Sequence, residues 1–555
     1  MVYNLLKLLD DKSKIVLLTL VVFTVGFLVY ANTLNFGLSY LDDNNHIHTL
    51  AKDYDSKTAV IDAFKNNLLF GRSPTPYYRP MVAVSFILEH KIAGESESFS
   101  HFGSVMLHCI SCVLVFLFIR KYLFKTTTSF LAALFFAVHP IGMHTVAWIP
   151  GRNDSIMFIN FILALAFLIE YIDKKKLYML AGHIIFTFFC FCSKESGLIS
   201  IPIFIFYYVA HKDINIHSLK KLKSDKSILL LIILWIAAAL FFLKLRSDVF
   251  PGHAGILKAL SLPKLFSSDN INMIFDYYYA IFFLRTPLAA LWGKATFQIY
   301  LMGSLSILLT AFFSFYRKDF HEKIKMSFYF LLPFILLFPT NLAGGRLWFQ
   351  GNRMYIPLFA IIVTLFSFLT YYIENKKTKT ELISLILIVI FLCLPITTKA
   401  SYKFKNSIAF WGNVINESSY ANITAVKFHG YSLMQNGRFQ EAINELLPLA
   451  NSLKFNYDEV NYALGSAFIL NKDYINAAEI FERMIQKRQT LTPQVYASLI
   501  LALHFFGNTE KENYYLNEFI EATNSDQSAV IAYLNNFSNF INTQRQTNLS
   551  RPKTI

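Results

Sequence analysis

Apolar runs of about 20 residues recur along the first 400 residues and alternate with short polar connectors. A helix needs about 20 apolar residues to cross the hydrocarbon layer of a bilayer, so each run predicts one transmembrane helix. We predict about eleven such helices. Their approximate ranges are 15–33, 101–119, 128–149, 154–172, 177–193, 195–210, 227–245, 297–315, 326–342, 354–373 and 381–399.

Clusters of Lys and Arg fall in every second connector and predict the orientation of the chain. Because cytoplasmic loops are enriched in Lys and Arg, connectors such as "DKKK" and "YRKDFHEKIK" and the N-terminus are predicted to be cytoplasmic. The other connectors then face outward. They are residues 34–100, 247–296 and 343–353, together with everything after about residue 400.

Two apolar segments need separate treatment. The stretch 271–290 contains "YYY", Arg285 and Pro287, which favour an interfacial or re-entrant helix over one that crosses the membrane. The first apolar segment lacks a small-residue cleavage pattern before "NTLNFG", so we expect an uncleaved anchor. Short loops and the lack of a retention signal favour a bacterial inner membrane over the endoplasmic reticulum.

The composition excludes a soluble globular protein. Of the 555 residues, 55% are hydrophobic and only 16% are charged, whereas about a quarter of the residues in soluble domains are charged. The net charge of +15 lies in clusters between apolar runs rather than along one face, so we predict no nucleic-acid partner. No disulfide framework is predicted because the five cysteines all fall in apolar spans. They are Cys109, Cys112, Cys190, Cys192 and Cys393.

After about residue 400 the apolar runs give way to amphipathic patterns that repeat. "GYSLMQNGRFQEAINELLPL" from Gly430 and "GSAFILNKDYINAAEIFERM" from Gly465 align without a gap, and a weaker third copy places Gly507 opposite Gly437 and Lys472. A period of about 34 residues with small residues at the helix crossing is typical of tetratricopeptide repeats. Such helix pairs stack into a solenoid whose concave face holds extended peptides. A membrane-tethered spacer is the alternative interpretation.

These patterns predict an all-α polytopic membrane protein divided into regions. Residues 1–400 are predicted to form the transmembrane domain, with residues 34–100 as its first external loop. Residues 401–545 are predicted to form an extracytoplasmic tetratricopeptide domain, and residues 546–555 a disordered tail.

Charged side chains are scarce in the middle of the spans and gather at their outward ends. A transporter or ion pump usually has ionisable residues near the bilayer midplane, so this distribution disfavours transport. It indicates polar chemistry at the depth of the lipid headgroups. The residues concerned are Asp42, Asp43, Arg79, Arg152, Asp154, Lys194, Glu195, Arg246, Asp248, Arg346 and Arg353.

Carboxylates, guanidinium groups and histidines at headgroup depth suit an enzyme that acts on a lipid phosphate. Arg binds phosphate by charge-assisted, often bidentate hydrogen bonds. A Ser or Thr hydroxyl is protonated near neutral pH, and a positioned carboxylate can take its proton as it attacks an anomeric carbon. A polyprenyl-phosphate sugar is therefore a suitable donor, and Asp42 or Asp43 a suitable base.

The two adjacent aspartates are expected to have different roles. Neighbouring side chains in a loop generally point apart, so one of Asp42 and Asp43 would be the base. The other would orient the loop, bind a cation or contact the acceptor. Mg²⁺ or Mn²⁺ held by one of these carboxylates is an open alternative. His139 and His144 are poorly spaced as helical ligands and have no evident third ligand, so no protein-held metal site is predicted there.

Each candidate also has a purely structural interpretation. Asp42 and Asp43 could form a helix N-cap with a solvated neighbour, and Arg79 could anchor a loop to lipid headgroups. His108 could be a packing histidine. Lys194 and Glu195 could pair only with each other. The tryptophans could be interfacial anchors or platforms for a sugar ring. They include Trp148, Trp348 and Trp411.

Several short motifs follow one another along the chain in a characteristic order. "YLDD" follows the first span, "YYRPMVAVSFILEHKIAG" lies in the first external loop, and "FSHFGSVMLH" enters the second span. "HPIGMHTVAWIPGRND", "CSKES", "NRMYIPL" and "FWGNVINESS" come next. In these motifs and their order the chain resembles a known family, the membrane O-mannosyltransferases that carry tetratricopeptide repeats, and their bacterial relatives. The resemblance implies the GT-C glycosyltransferase fold.

The resemblance also implies roles for individual residues. Asp42 and Asp43 match the two acidic positions of the catalytic loop. The matches to donor-binding motifs are Arg79, His108, Arg152, Lys194 and Arg353, and the secondary candidates are Asp154, Glu195, His139, His144 and Arg346. The chain departs from the family at His144, where Glu is common, and at Gly103 or Ser104, where Asn is usual.

The function that the resemblance implies is transfer of one hexose, mannose above all, from a polyprenyl-phosphate donor to Ser or Thr hydroxyls of exported proteins, with inversion. The repeats would present the acceptor polypeptide. Two alternatives stay open at this point. The acceptor could be a lipid or glycan, or the chain could be a non-enzymatic membrane scaffold that recruits partners through its repeats.

Overall fold

The computed structural model describes most of the chain, and every structural statement below concerns the described residues. It is helical throughout, with no strand among those residues. The chain divides into two compact units, Met1–Asn406 and Ser407–Ile555, close to residue 400, where the sequence analysis divides it. The described ranges are 10–39, 41–72, 76–212, 225–251, 268–288, 297–316, 318, 320–340, 351–374, 379–417, 423–451, 458–487, 492–523 and 525–550.

Each apolar run of the first unit is helical, which confirms the all-α polytopic fold. The longer helices are α1 (Asp11–Leu28), α2 (Pro80–Ala93), α3 (Glu97–Tyr122), α4 (Thr126–Val138), α5 (Arg152–Lys174), α6 (Leu177–Ser193), α7 (Ser200–His211), α8 (Lys226–Val249), α9 (Ser268–Phe282), α10 (Phe297–Phe315), α11 (Phe320–Thr340), α12 (Tyr355–Ile373) and α13 (Lys379–Ser401). Short helical turns lie between them at Ala31–Asn35, Asn45–Thr49, Ala51–Asp55, Ala59–Ala63, Pro140–Gly142, Met143–Val146, Ile149–Gly151, Glu195–Ile199, Gly351–Met354 and Tyr402–Phe404.

Six described helices are long and apolar enough to cross a membrane, or seven if one bent pair counts as a single span. The prediction is about eleven, and the difference has local causes. Helix α6 has 17 residues and α7 has 12, both short for a span of about 20. Helix α1 begins with the charged residues Asp11, Lys12 and Lys14.

The predicted continuous segment 128–149 is wrong in one respect, because the chain bends there. Thr126–Val138 and Pro140–Val146 meet at 49°. His139 has extended backbone, and Pro140 has no N–H with which to continue the helical hydrogen bonds. The bend turns the residues that follow α4 toward the start of α5.

Helix α5 lies at the centre of the first unit, and α13 lies at its edge. Within the most apolar part of each span, 78% of the residues of Ile149–Lys174 are buried, against 22% in Lys379–Phe404. Helices α3, α6 and α12 pack around α5. The start of α5 is therefore a rigid support for the loops around it.

The segment between α1 and α3, which is predicted to be the first external segment, has a small core of its own. Leu38, Tyr54, Phe86 and Ile87 pack together there and against Ile156 of α5. Helix α2 provides one wall of this core, and the short turns between residues 45 and 63 provide the other. This packing attaches the segment that carries Asp42 to the outer part of α5.

The second unit is a series of helix pairs. Its helices are α14 (Ser407–Glu417), α15 (Ile423–Gln435), α16 (Phe439–Ala450), α17 (Asp458–Leu470), α18 (Tyr474–Gln486), α19 (Pro493–Phe506), α20 (Thr509–Thr523) and α21 (Gln527–Ser550). Gly430 lies against Leu446, and Gly465 lies against Phe481. Because these equivalent glycines have no side chain, the second helix of each of these two pairs can pack closely against the first. Trp411 is buried and stacks on Phe428, 4.8 Å away.

The turns of the three pairs share one unusual backbone conformation. Gly437, Lys472 and Gly507, which the repeat alignment superposes, have φ of 71°, 67° and 83°. A repeated helix–turn–helix unit accounts for this agreement. Assignment of the unit to the tetratricopeptide class stays a prediction.

Lys472→Gly is expected to stabilise the protein by about 0.5–1 kcal/mol. The left-handed conformation costs a non-glycine residue roughly 1–2 kcal/mol, and Gly avoids this cost. Gly also loses more conformational entropy on folding, which cancels part of the gain. Thermal unfolding of the full chain in detergent measures the effect as a raised Tm. Gly507→Ala is the matched control and should lower the Tm, since nothing crowds its Cβ and only the backbone is strained. A lower Tm for Lys472→Gly would contradict the argument.

Candidate functional site

The two adjacent aspartates have different environments. Asp43 is 2% exposed, and its Oδ2 accepts hydrogen bonds from the Ser39 backbone N–H at 2.7 Å and from Ser39 Oγ at 2.8 Å. Its Oδ1 accepts a third bond from the Asn44 N–H at 3.0 Å. Asp42 is exposed and has left-handed backbone, with φ of 73°. The turn therefore directs one carboxylate inward and the other outward.

Trp148 holds this loop in place. Its indole Nε1–H donates to the Leu41 carbonyl at 2.9 Å. Leu41 N–H in turn donates to Ser39 Oγ at 3.3 Å. The loop is thus attached to the segment that leads into α5. The sequence analysis considered Trp148 only as an interfacial anchor or a sugar platform.

Both carboxylates have pKa values above the ordinary range. Burial raises the pKa of Asp43 to about 6, although its hydrogen bonds with Ser39 and Asn44 oppose the change. Asp42 is exposed, yet the protein around it removes part of its hydration and raises its pKa, while the nearby Arg79 opposes the rise. A higher pKa makes the ionised Asp42 carboxylate a stronger base than that of a free aspartate.

Ser39→Ala is expected to shift the acid limit of activity to higher pH. The variant loses a hydrogen bond that favours ionised Asp43, so this group is protonated at a pH above about 6. Because folding raises the pKa of Asp43, protonation of this group favours the folded state as the pH falls, so the titration of Asp43 does not itself cause unfolding. Transfer rates from about pH 5 to 8 measure the shift. Ser56→Ala, on the exposed part of the same segment, should leave the pH profile unchanged. Identical pH profiles for Ser39→Ala and wild type would contradict the inference that activity requires ionised Asp43.

Arg79 is paired with Glu195. The guanidinium contacts Glu195 Oε2 at 2.9 Å and lies over the Tyr77 ring at 4.2 Å. The Tyr78 N–H donates to Glu195 Oε1 at 2.9 Å. The first external segment is therefore joined to the turn after α6.

Lys194 is paired with Asp154 and not with its neighbour in the chain. Its Nζ lies 2.7 Å from both carboxylate oxygens of Asp154, and Asn352 Nδ2 donates to Oδ2 of the same carboxylate at 2.7 Å. All three side chains are buried. The alternative in which Lys194 and Glu195 pair only with each other is wrong, because successive residues of the extended turn contact different elements.

Arg353 belongs to the same group of charges. Its electrostatic neighbours are Tyr277, Asp154, Tyr77 and Arg79. Lys194 is influenced by both Arg79 and Arg353. We call Arg79, Lys194, Arg353, Asp154 and Glu195 the charge cluster. It contains three cations and two carboxylates, and Asp42 lies within electrostatic range of Arg79.

Arg152 lies outside the charge cluster. Its guanidinium has no exposed surface and donates to the Ser100 carbonyl at 2.5 Å and to Ser104 Oγ at 3.1 Å. It also forms an ion pair with Glu89 at 2.7 Å. These contacts join α5 to α2 and α3. We therefore do not include Arg152 among the donor-binding residues of the proposed site.

The predicted histidines are packed inside the protein. His108 has hydrogen-bond partners at both ring nitrogens, the Tyr355 hydroxyl at 2.7 Å and the Ala137 carbonyl at 3.0 Å. His139 contacts the Ile281 carbonyl at 3.1 Å and the Ile141 N–H at 3.2 Å. His144 is buried beside Phe404 and lies against Gly351, two residues before Arg353.

Arg346 and Trp348 lie outside the described residues. In the described part of the chain, no group of three His, Cys, Asp or Glu side chains could hold a metal ion. A divalent cation at Asp42, held jointly with a donor phosphate, stays a prediction.

Three residues that shape the site, Ser39, Tyr77 and Asn352, were not among the predicted residues, and the role of Trp148 was not predicted. Ser39 and Trp148 hold the aspartate loop, Tyr77 lies against Arg79, and Asn352 binds Asp154. Tyr77 and Asn352 are neighbours of the predicted Arg79 and Arg353 in "YYRP" and "NRM", and Ser39 precedes "YLDD". Position within a motif was therefore the available signal for three of them.

Comparisons with known proteins identify related sequences for part of the chain. Residues 75–244 match the family model of dolichyl-phosphate-mannose-protein mannosyltransferases. This segment includes Arg79, Asp154, Lys194 and Glu195.

Two named relatives extend this likeness. Protein O-mannosyl-transferase Tmtc1 of Drosophila melanogaster is 32% identical over 145 residues, which are 25% of this chain and 16% of the relative. Protein O-mannosyl-transferase TMTC2 of Mus musculus is 32% identical over 155 residues, 27% of this chain and 18% of the relative. The matched parts thus span less than a fifth of these relatives. The comparisons confirm the resemblance to the O-mannosyltransferase family.

Proposed function

We propose that the chain transfers one hexose, mannose by the names of its relatives, from a polyprenyl-phosphate donor to Ser or Thr hydroxyls of exported proteins. The observation that carries the proposal is the charge cluster, with three cations and two carboxylates, within electrostatic range of the exposed Asp42. The names of the relatives support transfer to protein. The donor class and the roles below are our inference from the chemistry of the residues.

The net charge of the cluster suits a departing lipid phosphate. A polyprenyl-phosphate sugar is a phosphodiester with one negative charge, and the departing phosphomonoester gains a second as the sugar–oxygen bond breaks. One excess positive charge therefore interacts more strongly with the transition state than with the bound donor. Salt bridges and the hydrogen bond from Asn352 hold the cluster rigid, which avoids reorganisation during the reaction.

Asp42 is the proposed general base. As the acceptor hydroxyl oxygen bonds to the anomeric carbon, its proton passes to the Asp42 carboxylate, and the electron pair of the broken bond goes to the phosphate oxygen. Attack opposite the leaving group inverts the anomeric configuration. Asp43 cannot readily take this role because three protein donors already bind its carboxylate; it positions the loop.

The acceptor would be a polypeptide bound by the second unit. Stacked helix pairs present long surfaces that suit peptide segments, and the chain has such pairs from α15 to α20. The distribution of Lys and Arg between the spans predicts that the reaction takes place on the extracytoplasmic side.

A transfer assay with the purified full chain tests the proposal. Radiolabelled polyprenyl-phosphate hexoses are incubated with Ser/Thr peptides, with matched Ala peptides, and with lipid or glycan acceptors. We expect label on Ser/Thr peptides alone, with an anomeric configuration opposite to that of the donor. Label on the lipid or glycan would show that the acceptor is not a protein. No transfer from any donor would favour the scaffold alternative.

A further inference from the structure

The last helix of the second unit crosses more of that unit than a terminal cap would. Helix α21 packs against α19 and α20 of the last pair, and also against α15, the first helix of the first pair. A cap that only covers the last repeat would contact that repeat alone. With 24 residues, α21 is about 36 Å long, enough to pass three helices packed about 10 Å apart.

The surface beneath α21 is formed by the first helices of the three pairs. Helix α15 packs against α17, and α17 against α19, so these helices make a continuous face. Tyr462 of α17 is an electrostatic neighbour of Tyr533 of α21, and the Tyr533 ring lies 6.2 Å from Phe519 of α20. We call the surface formed by α15, α17 and α19 the inner face.

Helix α21 contacts the unit through one stripe. Val530 is 3% exposed, and Tyr533, Leu534, Phe537 and Ile541 are partly buried against the core of the unit. Their spacing of three or four residues is that of one side of a helix. At the edge of this stripe Phe540 is 54% exposed. This stripe has the form of a helix bound in a groove.

The composition of α21 indicates what the inner face accepts. Arg545 is the one charged residue between 527 and 550, and the remaining polar residues are Ser, Thr, Asn and Gln, with a single Tyr. A segment of this kind combines an apolar stripe with uncharged polar flanks. A polypeptide rich in Ser and Thr has the same chemistry.

We propose that the inner face is a polypeptide-binding surface already occupied by α21, and that an amphipathic, uncharged, Ser/Thr-rich segment of another protein binds there by displacing it. The proposal deepens the acceptor-binding part of the proposed function. It does not depend on the sugar-transfer chemistry. Helix α21 is tethered to the inner face, at an effective concentration of about 1 mM. It competes with an equivalent free peptide and raises the apparent Kd of that peptide toward the millimolar range.

The probe is a fluorescein-labelled synthetic peptide of residues 527–550. Its binding is measured by anisotropy to the full chain in detergent and to a chain that ends at Asp526. We expect at least tenfold tighter binding to the shortened chain. Equal binding to both chains, with the helical circular dichroism of the shortened chain retained, would overturn the proposal.

A second pair of variants decides the matter even if the shortened chain does not fold. Phe537→Ala in the full chain removes a contact of α21 with the unit, whereas Phe540→Ala removes an exposed ring of the same kind on the same helix. Phe537→Ala should bind the peptide more tightly than wild type, and Phe540→Ala should bind it as wild type does. Indistinguishable binding by the two variants would show that α21 is a fixed part of the unit. Because the readout is binding, failure of the transfer assay would leave this result intact.

Discussion

Asp42→Asn is expected to lower the turnover number of hexose transfer by about 10²–10⁴-fold, the usual contribution of a general base. The amide cannot take the proton of the attacking hydroxyl. The substitution should leave the fold intact, because Asp42 is exposed and Asn adopts a positive φ more readily than most residues. Transfer from radiolabelled donor to a Ser/Thr peptide measures the rate, and an unchanged Tm excludes unfolding.

Two further variants make this result specific. Asp55→Asn, an exposed carboxylate that pairs with His90 at 2.9 Å on the same segment, should transfer at the wild-type rate. Asp43→Asn leaves the Asp42 carboxylate in place but weakens the hydrogen bonds between Ser39 and residue 43. It should therefore reduce the rate less than Asp42→Asn does. Transfer by Asp42→Asn at the wild-type rate would refute the base assignment. A larger loss in Asp43→Asn would move the assignment to Asp43.

Lys194→Met is expected to destabilise the protein by about 3–5 kcal/mol, the usual cost of leaving a buried charge without its partner. Asp154 would lose its ion pair and keep the hydrogen bond from Asn352. The thermal unfolding of the full chain in detergent measures the loss as a lowered Tm. Lys244→Met is the control, because Lys244 and Asp248 form an exposed pair on α8 whose loss should cost about 1 kcal/mol or less.

The double variant Lys194→Met/Asp154→Asn separates stability from charge. It removes one cation and one carboxylate, so the cluster keeps one excess positive charge and neither member of the buried Lys194–Asp154 pair is left charged without the other. We expect most of the lost stability to return. If the double variant is no more stable than Lys194→Met, the ion pair is not the source of the loss.

The sequence motifs predicted which residues belong to the candidate site better than they predicted what each residue does. Asp42, Arg79, Lys194 and Arg353 are close enough to interact electrostatically or through shared partners, as expected for one site. Arg152 and the histidines occur in equally suggestive motifs, yet they are packed inside. A motif records which residue types are present. It does not record which side of a helix faces the charge cluster.

The partners of the charges were also beyond sequence reasoning. Lys194 pairs with Asp154, 40 residues away, and Arg79 with Glu195, 116 residues away. Such pairs depend on how helices pack, and packing is decided by many weak contacts that no local pattern contains. The bend after Val138 has a local cause in Pro140, but its 49° angle reflects the packing of the two segments.

The sequence by itself determined the class of the protein, because the cost of placing polar groups in hydrocarbon requires long apolar helices and leaves a pattern that can be read from the residues alone. It also determined the repeat of the second unit and the five charged residues of the charge cluster. Only the tertiary structure decided that Asp43 faces inward and Asp42 outward, which charges pair, and that α21 lies along the inner face. Those outcomes depend on contacts between segments far apart in the chain, whereas the apolar pattern is a local property of each segment.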